Sequence, residues 1–190
     1  MAANVPPAGE IFVTYDEYAQ MPDDGRRYEV LEGMLHMMTP SPTTRHQRVS
    51  GNLYFILRDH VAKHDLGEIF DAPLDVVLSS TNVLQPDLIY VSRARAEIVT
   101  EKNIAGVPDL VVEIISPETA SMDRVTKAQI YARAGVPCYW VVDPDRRTIE
   151  EFRLERGIYM PVRQWEGEAR FAPELFPGLE IELSRVFGRT

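Results

Sequence analysis

The chain has 190 residues, 45% of them hydrophobic and 26% charged, with a formal net charge of −9. That is enough for one domain with a sizeable core. The acidic balance excludes a broad basic face that coats polyanions, though not an enzyme that meets nucleic acid through a local basic rim and bound metal. Cys138 is the only cysteine, so no intramolecular disulfide can form; its apolar neighbours Tyr139-Trp140-Val141-Val142 favour a buried thiol in a reducing, cytoplasmic setting.

Residues 1–13, with Pro6-Pro7 and Gly9, are expected to be a flexible arm, and 14–190 a single domain. Met1 to Glu10 lacks a signal pattern, and no apolar run could span a bilayer, so no membrane partner is expected. Thr14 reads as the N-cap of a short helix carrying Tyr15, Tyr18 and Met21, closed by Pro22-Asp23-Asp24-Gly25. Tyr28 to Met38 alternates around Glu32-Gly33 as a hairpin does. Thr39-Pro40-Ser41-Pro42 breaks it. A long helix from about Thr43 to His64 follows, with Val49, Leu53, Ile56, Leu57 and Val61 at three- and four-residue spacing.

Strand-like runs come next, at Ile69 to Leu78, Asp87 to Val91 and Leu110 to Ile115. The spacing predicts a helix from about Ser121 to Ala134, stopped by Gly135 at the C′ position, and a compact strand over Cys138 to Val142. Thr148 to Leu154 and Ile158 to Arg163 form a second hairpin around Glu155-Arg156-Gly157. The tail has two Pro-containing turns and ends in Leu179-Glu180-Ile181-Glu182-Leu183. Its aromatic residues Trp165, Phe171 and Phe176 could close the core or make a homodimer interface. The order of elements suggests an α/β protein with a mixed sheet. No Gly-rich phosphate loop follows any strand, which sets a Rossmann-like nucleotide binder aside.

Glu113 is the most informative residue. It lies in Leu110-Val111-Val112-Glu113-Ile114-Ile115, a run apolar on both faces as in a strand buried within a sheet. A carboxylate there is expensive unless it is paired, hydrogen-bonded or bound to metal. An ion pair with an arginine and a role as metal ligand or acid/base group both satisfy that demand. Asp109 shares its strand face, but four strand residues span ~13 Å, too far for two ligands each about 2.1 Å from one Mg²⁺. Asp109 is better read as a strand-entry residue after Pro108. Asp87 starts a different strand, and paired strands lie ~4.8 Å apart, so Asp87 and Glu113 could share a cation. Asp123, Lys127 and Tyr131 recur every fourth residue on one helix face. Taken alone, the Asp-Lys pair reads as a surface pair worth a few tenths of a kcal/mol. Lys127 gains a role only if its ammonium reaches the carboxylates. His46 opens the long helix and could either cap its first turn or bind metal or phosphate at the site's edge. Arg45, Arg48, Arg93 and Arg95 are candidate phosphate contacts.

Taken in order, Tyr28-Glu29-Val30-Leu31-Glu32-Gly33, His46, Gln85-Pro86-Asp87-Leu88, Pro108 to Pro117, Asp123 to Lys127 with Tyr131, and Gly135 to Pro144 resemble the Uma-two family of bacterial restriction-endonuclease-like proteins. That family belongs to the PD-(D/E)XK nuclease superfamily, and the resemblance runs from about Thr14 to Phe187. It implies a restriction-endonuclease-like fold: a central mixed β-sheet flanked by helices, with additional N- and C-terminal hairpins. It further implies that Asp87 is the acid of the "PD" strand and Glu113 the second metal-binding acid. The superfamily pattern places a lysine two residues after that acid, where this sequence has Ile115, and the resemblance implies that Lys127 takes its place. Glu29 or Glu32 is the extra acid some members use; the flanks Tyr28 and Val30 put Glu29 in a strand and favour it.

The expected activity is Mg²⁺- or Mn²⁺-dependent endonucleolytic hydrolysis of nucleic acid, DNA in the first place. Two carboxylates are hard oxygen ligands, and no cysteine-histidine spacing suggests zinc. The competing reading is a silent nuclease fold that serves as an interaction or scaffold module, in which Asp87, Glu113 and Lys127 form a satisfied buried cluster.

Overall fold

In the computed structural model, which describes residues 12–38 and 42–188, the strands pair into two principal sheets. Helix α1 (Tyr15–Tyr18) starts at Thr14, whose backbone N donates to Glu17 Oε2 at 2.8 Å. Strands β1 (Tyr28–Leu31) and β2 (Met34–Met37) are joined by Glu32 and Gly33, both at positive φ, 53° and 81°. Paired positive φ values give a two-residue turn whose twist matches the strands it joins. Of the expected arm, Phe12 and Val13 are ordered into this sheet: Phe12 bridges to Met34, and Val13 N donates to Gly33 O at 2.8 Å. The rest of the arm, and the break at Thr39-Pro40-Ser41, lie outside the described residues.

Helix α2 (Thr44–Lys63) is capped by Thr43, whose side chain accepts from His46 N, and it buries Val49, Leu53, Ile56, Leu57 and Val61. The run expected as one strand over Ile69 to Leu78 is two: β3 (Gly67–Asp71) and β4 (Val76–Ser79). Pro73 has no backbone donor and cannot continue a ladder, and the two halves join different sheets. Strand β5 (Asn82–Leu84), too short to show a period in the sequence, pairs with β4 and β1. The smaller sheet therefore has the order β2-β1-β5-β4.

Beyond Gln85-Pro86-Asp87 the chain enters the larger sheet with β6 (Leu88–Ser92), followed by a 3₁₀ segment (Arg93–Ile98) and β7 (Leu110–Ile114). A π-helical turn (Met122–Lys127) runs into α3 (Ala128–Ala134), which stops at Gly135 in the left-handed region. Strands β8 (Cys138–Asp143), β9 (Thr148–Glu155) and β10 (Ile158–Glu166) follow, then the small pair β11 (Arg170–Phe171) and β12 (Ile181–Glu182), and a last helix α4 (Leu183–Phe187). The six-stranded sheet has the order β10-β9-β8-β7-β6-β3, with β7 and β8 parallel and all other neighbours antiparallel. The mixed sheet expected from the sequence is therefore present, and the second hairpin continues it.

Strand β7 divides the core. Leu110, Val112 and Ile114 pack on one face with α2 and the C-terminal residues, while Val111 and Ile115 pack on the other with Ile130 and Tyr131 of α3. The aromatic tail closes the core: Trp165, Phe171 and Phe176 are all buried there, and Trp140 and Tyr90 meet Phe176 edge to face. Cys138 is buried as expected, and burial beside Glu151 pushes its thiol up to about 12. Among the described residues no helix is long and apolar enough to cross a membrane.

Phe176→Ala should cost about 3–5 kcal/mol, the usual range for emptying a buried aromatic site, without altering the oligomeric state. Denaturant melts and size-exclusion chromatography check both. A small loss of stability accompanied by a change in oligomer size would mean that the tail serves an interface.

Candidate active site

Continuing the antiparallel register of β6 and β7, which pairs Leu88 with Val112, sets Asp87 opposite Glu113. Opposed residues of an antiparallel pair point to the same face. Glu113 is on the face of Val111 and Ile115, toward α3. Asp87 is fixed at both oxygens: Oδ2 accepts from Ile114 N at 2.7 Å, and Oδ1 lies 3.3 Å from His46 Nε2. The side chain of His46 thus reaches the acid, while its backbone N bonds the Thr43 cap at 3.2 Å. Asp109 sits at the other end of the same strands, accepting from Ser92 N at 2.7 Å and facing Arg95 at 3.4 Å. It is a strand-entry residue, as its spacing implied.

Lys127 is 4% exposed, so the surface reading of its pair with Asp123 fails. Its ammonium lies 2.9 Å from Glu29 Oε1, 3.3 Å from Glu113 Oε1 and 3.5 Å from Asp123 Oδ1. Both helix residues belong to the π-helical turn. It keeps Asp123 and Lys127 on the buried side, and the Asp123 carbonyl accepts from both Ala128 N and the Tyr139 hydroxyl, the latter at 3.0 Å. Single π turns inside helices recur at functional sites. Tyr131 donates to Glu113 Oε1 at 2.7 Å. Ile115 occupies the Glu113 face two residues on and is buried among Ile130 and Tyr131.

Glu29 comes from the other sheet. Its Oε1 accepts from Gln85 N at 2.8 Å as well as from Lys127. Glu32 is at the exposed turn, paired with Arg133. Asp87, Glu113, Asp123, Lys127 and His46 all line one cavity of about 760 Å³. Arg45 is at its rim, paired with Asp145. Arg93 and Arg95 do not reach it: they follow the far end of β6 and pair with Asp65 and Asp109. Arg48 is exposed on α2 and does not line the cavity. The sequence reading passed over Arg27, which does line it; the signal was its position two residues before Glu29, on the same face of an extended chain.

Burial pushes the Glu113 carboxyl well above its usual range; Lys127 opposes this, while Asp123, Asp87 and Glu29 add to it. Asp123 is likewise raised by burial, against the pull of Lys127 and Thr119. Burial disfavours the charged forms of Lys127 and His46, but carboxylates outweigh it: Glu113, Glu29 and Asp123 hold the Lys127 proton, and Asp87 raises His46. The centre thus sets four acidic side chains, Glu29, Asp87, Glu113 and Asp123, against one ammonium and one imidazole.

Two opposed acids on neighbouring strands of a mixed sheet, facing a lysine carried by a flanking helix, define a restriction-endonuclease-like α/β fold. The family model of Uma2, described as "Putative restriction endonuclease", matches residues 15–184, and the chain belongs to that family. A crystal structure of a "putative nuclease belonging to DUF820" from Anabaena variabilis ATCC 29413 shares the fold. Its TM-score is 0.75 over 92% of this chain and 97% of that one, at 19% identity. Among curated proteins none matches.

A carboxyl whose native pKa is raised contributes stability below its unfolded value, and that contribution is lost as pH rises through the native value. With unperturbed values of 4.5 for Glu113 and 3.8 for Asp123, stability in chelator should fall as pH is taken from 5 to 8. Glu113→Gln, which cannot titrate, should flatten that dependence. Thermal melts across the range check the slope, and an unchanged slope in the variant would contradict the assignment.

Proposed function

We propose that this chain is a metal-dependent nuclease that hydrolyses phosphodiester bonds in nucleic acid, DNA in the first place. The observation that carries this reading is the convergence of Asp87, Glu113 and Lys127 in one cavity, with Glu29 brought to them from a second sheet. The donor set fits Mg²⁺ or Mn²⁺. Four acidic side chains, Glu29, Asp87, Glu113 and Asp123, face one ammonium and one imidazole, and burial, with the neighbouring acids adding to it, raises Glu113 and Asp123. Among the described residues no three His, Cys, Asp or Glu side chains form a ready-made metal cluster. Mg²⁺ is commonly held by one or two carboxylates with waters completing its shell, so Asp87 and Glu113 would suffice as its ligands. When bound, the ion supplies Lewis acidity toward a phosphoryl oxygen.

The chain's own groups hold that arrangement. Ile114 N and His46 orient Asp87, and Tyr131 with Lys127 fixes one oxygen of Glu113. Lys127, kept protonated by its three carboxylates, is a fixed positive charge placed to offset charge developing on the phosphoryl group. Held this way it is a poor general base, so its part is electrostatic.

With Mn²⁺ the purified chain should cut DNA, and Asp87→Asn or Glu113→Gln should each slow cleavage on the order of 10³-fold, a loss of about 4 kcal/mol of transition-state stabilisation. If single- and double-stranded DNA and RNA all stay intact with either metal, and the variants behave the same, the reading fails. A second reading, a silent interaction module, is favoured by the pairing of Lys127 with Glu29, Glu113 and Asp123, as in a satisfied structural cluster. Calorimetric titration separates the two: Mn²⁺ binding that Asp87→Asn abolishes supports the nuclease, and no heat from the native chain supports the module.

A further inference from the structure

The nuclease reading leaves one demand unmet. A polynucleotide brings negative charge at every phosphate, and the centre it approaches already holds surplus carboxylate. The cations of the cavity are mostly committed: Lys127 to Glu29, Glu113 and Asp123, His46 to Asp87, and Arg45 to Asp145. Arg27 is different. It lines the same cavity, immediately before β1, yet it enters no ion pair among the described residues.

Its position is nevertheless built. Arg27 Nε donates to Gln85 Oε1 at 2.9 Å. The amide of Gln85 is held in that sense because its Nε2 donates to the Asp75 carboxylate at 2.8 Å, an acceptor that would repel the amide oxygen. The Tyr18 hydroxyl donates to the same Asp75 oxygen at 3.2 Å, and Gln85 N holds Glu29 at 2.8 Å. One buried glutamine thus ties the guanidinium to the acid cluster and leaves both Nη groups without a protein acceptor among the described residues. Two parallel Nη donors in a fixed plane match the oxygens of a phosphate.

We propose that Arg27 is the phosphate-binding residue of this site, taking the non-bridging oxygens of a bound polynucleotide phosphate, with Gln85 as its positioning residue. This rests on the nuclease reading. Its test is oligonucleotide binding in the cleavage-deficient Glu113→Gln background with Mn²⁺, followed by fluorescence anisotropy across a salt series. Adding Arg27→Gln should weaken binding about tenfold and lower the slope of log affinity against log salt by about one. Adding Arg27→Lys instead should keep the slope, because the charge remains, and a melt of each variant confirms that it is folded. Unchanged affinity and slope in a folded Arg27→Gln chain, while the native chain still cuts DNA, overturn the role of Arg27 alone. If the native chain neither cuts nor binds oligonucleotide, the nuclease reading falls and takes this assignment with it.

Discussion

A buried ammonium has to be neutralised where it lies, and the local structure is arranged around meeting that requirement for Lys127. Three carboxylates from three elements converge on it: Glu29 from β1, Glu113 from β7 and Asp123 from its own helix. Removing one partner of a buried ion pair typically costs several kcal/mol, because the other charge stays desolvated. The lysine therefore adds an electrostatic tie between elements that already share a hydrophobic cluster, through Leu31 of β1, Val111 of β7 and Ile130 of α3. It ties the smaller sheet to the larger one, and the helix to both.

The same seam explains why the acids meet at all. Gln85-Pro86-Asp87 is the short passage from β5 in one sheet to β6 in the other. Several of its polar groups are used: Gln85 N holds Glu29, the Gln85 side chain spans Arg27 and Asp75, and Asp87 receives Ile114 N. Pro86 has no donor to satisfy. A chain crossing between sheets has backbone groups that no ladder can pair, and buried groups of that kind find other partners. Here the partners are the candidate catalytic side chains and their neighbours, so the needs of the backbone and of the site are met by the same bonds.

Local rules expressed much of this in the sequence. The two hairpin turns, the cap and span of α2, and the stop at Gly135 follow from residue types whose preferences are short-range. Glu113 was legible because an acid in an apolar run is costly wherever the run folds, and Asp87 because strand geometry excluded Asp109. What was not legible required knowing which sheet a strand joins. The run Ile69 to Leu78 has uniform β character, and only tertiary pairing assigns its halves to different sheets. Strand β5 is three residues long, too short for alternation to register. Lys127 failed as a local inference because i,i+4 spacing is the same on a solvent face and a buried one; resemblance, not periodicity, singled it out. Arg27 was hidden for the opposite reason, since an arginine at a strand entrance looks like any solvated charge until the glutamine that holds it is seen.

The departure at Ile115 then has a physical account. A lysine two residues after Glu113 would share its strand face and rise toward the helix that covers it. In this chain that position packs against Ile130 and Tyr131, and Tyr131 also donates to Glu113. An apolar side chain at 115 seats the helix; the seated helix presents Lys127 and Tyr131 to the same carboxylate. In this chain the ammonium beside Glu113 comes from the element above the strand. The π-helical turn carries both Asp123 and Lys127 on its buried side. What the site requires is a positive charge at one point in space, and two different sequence positions can deliver it when the intervening layer is rebuilt to match.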